Sequence, residues 1–400
     1  QQLRSDAHRL GLGQEVVAAM QAMIAPGMAL RATQGPEEHL ALPQDGGKLS
    51  GEITEPVRFT ANELKAYITA NTTLVLEETI YPQLAGALSA GKHIVLTGPP
   101  GTGKTSLALA IAELAKARGM NRGATLTTAT PDWTTFDTIG GYVPSRAQTL
   151  QFKPGMFLET IREGRWLIID EMNRAEIDKA FGELFTVLSG QQVDLPYTVG
   201  EDRVRIMPPA GKTPADWWPQ GLGRFDYVRH PNWRIIGTMN VFDRSFLFSM
   251  SFAFMRRFAF IDVAVPEAVS YAGLRQKWLR ERLALADDHP DVAVLVTHFN
   301  TLFDQARPLM MRRALGPAIA LDMIGYLAAR GAPWPSAVAE AMMLYVVPQL
   351  DALEPTAIFA IYRQMKLAFG VAEQGLLLPR IRELYPHIRA QDWEEEFNGG

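Results

Sequence analysis

The stretch GPPGTGKT, Gly98 to Thr105, decides how the rest of the chain reads. Its residues Gly98, Pro99, Pro100, Gly101, Thr102, Gly103, Lys104 and Thr105 meet the G-x-x-x-x-G-K-[ST] pattern in full. Upstream, His93-Ile94-Val95-Leu96-Thr97 is a short apolar run of the kind that forms a buried parallel strand. Downstream, Leu107, Ala110, Ile111 and Leu114 recur at helical spacing until Gly119. Strand, glycine loop and helix together predict a phosphate cradle, in which backbone amides turn inward and the helix N-terminus adds partial positive charge. Lys104 is expected on the β- and γ-phosphates, Thr105 on Mg²⁺, and Ser106 beside them at the helix start.

Outward from the loop, strands and helices alternate. Strand-like runs at Ala124–Thr130, Arg165–Asp170, Trp233–Thr238 and Ala259–Val265 are separated by helical segments such as Ile177–Leu188. This predicts an α/β fold with a mostly parallel, five-stranded sheet covered on both faces. Earlier, Thr60-Ala61-Asn62-Glu63 reads as a capped helix start, and Leu74–Ala90 as a helix strained near Pro82. Two long interruptions, Pro131–Gly155 and Val193–Asn232, break the alternation; the second contains a hairpin pattern and an aromatic patch at Trp217 and Trp218. Beyond Pro266 only helical patterns remain: 269–285, 292–305, 317–329, 336–347 and 356–369. The expected organisation is an N-terminal helix and linker (1–57), a nucleotide-binding α/β core (58–266) and an all-helical lid (267–400), ending in an acidic tail at Glu394–Glu396.

Composition narrows the class. With 400 residues, 47% hydrophobic, the chain has enough apolar material for more than one core. Its 39 basic and 43 acidic residues give a net charge of −4, so no global electrostatic case for nucleic acid exists, and DNA contact stays a local option unsupported by charge. The absence of cysteine excludes disulfides and thiolate metal sites. No apolar run is long enough to span a bilayer. The expectation is a cytoplasmic protein without a membrane segment.

Three further segments carry chemistry. Trp166–Glu171 is an apolar strand ending in two carboxylates: Asp170 can hold Mg²⁺ and Glu171 can polarise an attacking water. Ile235–Asn240 is a second buried strand, whose terminal Asn240 can orient that water and sense the γ-phosphate. Ser249–Phe258 reads as a helical stretch ending in Arg256 and Arg257. Arginines there suit a helix C-terminus; the functional alternative is that Arg257, with Arg256 as second choice, reaches a neighbouring subunit's nucleotide.

Taken in this order, the phosphate loop, Asp-Glu pair, strand-end Asn, paired Arg and helical lid resemble the AAA+ NTPases. DEMNRA (170–175), MNVFDR (239–244) and MRRFAF (255–260) are similar to the McrB-like branch, with its dynein-related and MoxR-like relatives. That resemblance implies a homo-oligomeric, usually hexameric ring with nucleotide between subunits, Mg²⁺ as cofactor, and ATP (GTP is the alternative) as substrate. It places Asp243 and Arg244 near the site as branch-specific elements and Arg257 as the finger from the next subunit. It further implies a restriction-type, antiviral-defence complex with a separate effector or nuclease subunit. A MoxR-like chaperone and a non-hydrolysing nucleotide-dependent scaffold are the alternatives. The sequence departs from many AAA+ proteins at Gly316-Pro317-Ala318, where related chains place an arginine near the position of Ala318; Arg312 and Arg313 lie just upstream.

Overall fold

The structure is a computed structural model and describes residues 58–144, 150–208, 226–240, 250–284 and 289–393. Ten strands are described: β1 (His93–Gly98), β2 (Ala124–Thr128), β3 (Gly140–Pro144), β4 (Leu150–Pro154), β5 (Trp166–Asp170), β6 (Val193–Val199), β7 (Asp202–Met207), β8 (Asp226–Val228), β9 (Ile235–Asn240) and β10 (Phe258–Asp262). Five of them form one parallel sheet in the order β10-β1-β9-β5-β2. Side chains alternate across a strand, and both faces of the central strands β1, β9 and β5 are covered. Ile94, Leu96, Ile168 and Ile236 accordingly join one core with Leu107 and Ile111 of the Lys104–Ala117 helix. Their sequence neighbours Val95, Leu167, Ile169 and Ile235 join the opposite core with Phe157, Phe181 and Phe254. Such strands read as unbroken apolar runs because neither face meets water.

The expected elements hold with local changes. Thr60 does cap its helix, its Oγ1 accepting the Glu63 N–H at 3.2 Å. The helix expected over Leu74–Ala90 begins only at Ile80. Pro82 then falls in its first turn, where a missing N–H costs nothing. The segment Ile177–Leu188 is two helices, Ile177–Phe181 and Leu184–Leu188, broken at Gly182 with φ +43. The break leaves Phe181 and Leu184 in the same core, so the apolar pattern does not register it. The helical run expected before the paired arginines shortens to Phe252–Met255 among the described residues. The first long interruption contains the β3–β4 hairpin, and the second the expected β6–β7 hairpin with β8 added in parallel. The hairpins meet at Tyr142, whose hydroxyl donates to Thr198 O at 2.8 Å and accepts from Thr198 N–H at 2.7 Å. The N-terminal helix and linker, the Trp217–Trp218 patch and the acidic tail lie outside the described residues.

After β10 every described element is helical: Ala268–Leu283, Pro290–Leu302, Pro308–Arg312, Pro317–Arg330, Trp334–Ala341, Pro355–Ala368 and Val371–Glu383, with one π and one 3₁₀ turn over 342–350. They share a separate core that includes Tyr271, Phe299, Leu327, Ile361 and Trp393. Pro308–Arg312 and Val371–Glu383 were not expected. The first is a five-residue helix whose only sequence signal is proline at its start. The second is obscured by Gly375 and an internal Pro379. No described helix is long and apolar enough to cross a membrane.

Two buried histidines predict acid sensitivity. His93 opens β1, and its Nδ1 accepts the Ile235 N–H at 2.9 Å. Burial, then the nearby Arg234 charge, holds its pKa well below the usual value. Burial, then Arg234 and Arg229, pushes His230 down to about 4. With folded pKa values depressed, the unfolded chain binds more protons below about pH 6.5, so this stability is present above that pH and lost as pH falls. His230 alone accounts for about 2 kcal/mol by pH 5. A melting series from pH 7 to pH 5 is expected to show Tm falling by several degrees; a flat series contradicts the neutral, buried state of these rings.

Candidate nucleotide site

The site lies where strand order reverses, at the C-terminal ends of β1, β9 and β5, the usual crevice of an open parallel sheet. The parallel register sets Gly98 beside Asn240 and Ile169 beside Gly237, so the strand ends bring their polar residues together. Gly98 has φ +145 and no room for a side chain, because a Cβ there would strike the Val263 carbonyl. Gly103, at φ +85, starts the Lys104–Ala117 helix in a left-handed conformation. Leu74 packs so closely over Gly103 that a Cβ would overlap it, which puts the segment between the Ala61–Asn71 and Ile80–Ser89 helices against the phosphate loop.

Lys104 is 6% exposed, and its Nζ donates to Gly98 O at 3.0 Å and Pro99 O at 2.7 Å. Burial lowers its pKa to about 8, opposed by Asp170, Asp262 and Glu171. Thr102 Oγ1 donates to Pro99 O at 3.1 Å and closes the loop on itself. Thr105 Oγ1 donates to Asp170 Oδ1 at 2.6 Å. These are two hard oxygens side by side, the donor type a small divalent cation takes, so the pair fits Mg²⁺. The described residues contain no group of three His, Cys, Asp or Glu side chains placed to hold a metal ion by themselves. A cation here therefore depends on phosphate oxygens and water for its remaining ligands.

Thr238 organises the two carboxylates and was not singled out from the sequence. Its Oγ1 donates to Asp170 Oδ1 at 2.5 Å and accepts the Glu171 N–H at 3.0 Å. The available signal was its position two residues before Asn240, which puts both on one face of β9. Glu171 adopts φ +51, a left-handed conformation uncommon for a residue with a side chain and typical of strained functional positions. Asn240 Nδ2 approaches Glu171 Oε1 at 3.4 Å, and Arg174 forms an ion pair with Glu171 Oε2. Arg174 thus has a partner that the sequence pattern did not reveal. Ser106 is exposed at the helix start. Lys104, Thr105, Asp170, Glu171 and Asn240 are all brought together; Asp243 and Arg244 lie outside the described residues.

Arg256 and Arg257 are elsewhere. His93 pairs with Phe258 and Thr97 with Asp262, so the arginines precede β10 at the end of the sheet opposite the phosphate loop. At the usual strand rise that is about 20 Å or more from Gly98. Arg257 Nε donates to Phe185 O at 2.9 Å and its Nη2 to Ser189 Oγ at 2.6 Å, with the guanidinium over the Phe185 ring. Arg256 is exposed. Neither reaches its own chain's phosphate loop. Of the lid arginines, Arg313 Nη2 donates to Asp351 O at 2.8 Å, within the helical region, and Arg312 is exposed.

A phosphate loop, paired carboxylates and a polar strand end on a sheet of this order, followed by a helical lid, define the AAA+ class. Residues 93–258 match the AAA domain family, dynein-related subfamily, and the matches support the resemblance to McrB-like AAA+ proteins. Over 202 residues it is 30% identical to the Type IV methyl-directed restriction enzyme EcoKMcrB subunit of Escherichia coli (strain K12), covering 48% of this chain and 39% of that one. Over 152 residues it is 29% identical to Midasin of Dictyostelium discoideum, covering 37% of this chain and 2% of that one. The chain thus spans well under half the length of these relatives.

Proposed function

We propose that this chain hydrolyses ATP with Mg²⁺ in a homo-oligomeric, hexameric ring and that the cycle drives a restriction-type complex. The observation that carries hydrolysis is the Thr238 bridge, which fixes Asp170 beside Thr105 while presenting Glu171 next to Asn240. Lys104 and the amides from Gly98 to Ser106 hold the phosphates. Thr105 and Asp170 hold Mg²⁺, which when bound neutralises charge on the phosphates. Glu171 draws a proton from water that Asn240 orients. Arg257, with Arg256 as the second choice, serves the adjacent subunit; its placement away from its own loop supports this. Asp243 and Arg244 remain assigned to the vicinity of the site on the sequence pattern alone. The working domains are a core over 58–266 and a lid over 267–400, supported by the separate helical core.

ATP is preferred over GTP because the chain lacks an Asn-Lys-x-Asp guanine motif. The partner reading rests on the name of the Escherichia coli relative, a subunit of a restriction enzyme, which suggests a separate nuclease or other effector and a role in antiviral defence. The test is turnover of ATP and GTP in competition, with oligomer mass measured in each. ATP hydrolysis accompanied by a shift to a multiple of the chain mass is expected. Failure to turn over either nucleotide contradicts the reading, and a co-purifying metal-dependent enzyme in place of a nuclease moves it to the MoxR-like alternative.

A further inference from the structure

The helical region meets the phosphate loop through backbone. Gly316 N–H donates to Pro100 O at 3.2 Å, and Ala318 N–H donates to Gly101 O at 3.0 Å. Gly316 has φ −70 and ψ 166, an extended conformation open to any residue, so its backbone does not call for glycine. Space does: a Cβ there would stand 2.6 Å from Pro100 O and overlap the Gly101 carbonyl. On the other side, a Cβ at Gly101 would lie 3.3 Å from Ala318 Cβ. Behind the contact, fully buried Tyr271 donates its hydroxyl to Leu315 O and Gly316 O, each at 3.2 Å. The Arg275 guanidinium covers the Tyr271 ring at 4.4 Å.

Peptide planarity gives these bonds their consequence. The Pro100 carbonyl shares a rigid plane with the Gly101 N–H, and the Gly101 carbonyl with the Thr102 N–H. A bond to the carbonyl therefore orients, and slightly polarises, the amide at the other edge. Those two amides are among the phosphate donors of the loop under the proposed function, on which this step rests. We infer that Gly316 and Tyr271 are positioning residues that clamp two peptide planes of the phosphate loop to the Pro317–Arg330 helix, so that lid position and phosphate grip change together. A side chain is not needed for this coupling, which fits the presence of alanine at position 318, where an arginine was the alternative.

The test compares Gly316→Ala and Tyr271→Phe with the unaltered chain. It uses equilibrium binding of a fluorescent ADP analogue, KM and kcat for Mg·ATP, and hydrogen exchange over residues 312–320. Losing both lid bonds in Gly316→Ala is expected to weaken nucleotide binding about tenfold, the order set by two neutral hydrogen bonds. Tyr271→Phe is expected to weaken it about threefold. KM should rise more than kcat falls, exchange at 312–320 should quicken, and the Tm of nucleotide-free Tyr271→Phe should fall by no more than a few degrees. Both variants binding within twofold of the unaltered chain, with unchanged exchange, overturns the inference. If Gly316→Ala does not fold, Tyr271→Phe decides alone. Failure of the underlying reading looks different: the unaltered chain itself then binds no nucleotide, or Lys104→Ala binds as well as it does.

Discussion

Glu171→Gln is expected to lower steady-state ATP hydrolysis by about 10²–10⁴, the range for loss of a positioned general base. Nucleotide binding should survive, because glutamine keeps the shape of the side chain and no phosphate-holding residue is touched. The geometry explains why the effect belongs to this carboxylate and not to Asp170. Asp170 Oδ1 accepts from both Thr105 and Thr238, an anchored arrangement suited to a cation. Glu171 is held by its backbone N–H on Thr238, leaving its carboxylate to face Asn240 and Arg174. Single-turnover and binding measurements on the same variant check the assignment. Turnover within about threefold of the unaltered chain would remove Glu171 from the role of base.

The second large effect is at Arg257. If it stabilises the transferring phosphoryl in a neighbouring subunit, Arg257→Ala should cost about 10³–10⁵ in kcat. The loss cannot arise within one chain by direct contact, because Arg257 precedes β10 at the far end of the sheet. Alanine also deletes the bonds to Phe185 O and Ser189 Oγ and the contact with the Phe185 ring, so some destabilisation is expected as well. Arg256→Ala is the informative companion, since Arg256 is exposed beside the same strand end. Comparable losses in both variants point to a shared role, and a loss confined to Arg256→Ala transfers the finger to that residue. Circular dichroism melts separate the catalytic loss from unfolding.

Much of this site was legible because its signals are local. The phosphate loop announces itself through eight consecutive residues between a strand and a helix, and the Asp170–Glu171 pair and Asn240 end apolar runs that parallel strands require to be unbroken. Thr238 was not legible, since its role depends on the register that sets Ile169 beside Gly237. Gly316 was read only as part of a missing-arginine pattern; the reason for glycine is a close approach to a loop remote in sequence, which no local pattern encodes. The break at Gly182 was hidden because both halves of the segment bury their apolar side chains in one core. The β3–β4 hairpin was missed because its burial shows no strong alternation, with Leu150 and Tyr142 exposed.

The central claim is that each hydrolytic site is completed by a neighbour, and mixing two inactive variants tests it most directly. Glu171→Gln retains the finger and Arg257→Ala retains the base, so an interface between them holds one intact site. Combined in equal amounts after subunit exchange, they are predicted to regain a substantial fraction of ATPase activity that neither shows alone. Activity no higher than the sum of the separate variants, in a mixture shown to co-assemble, would contradict the account.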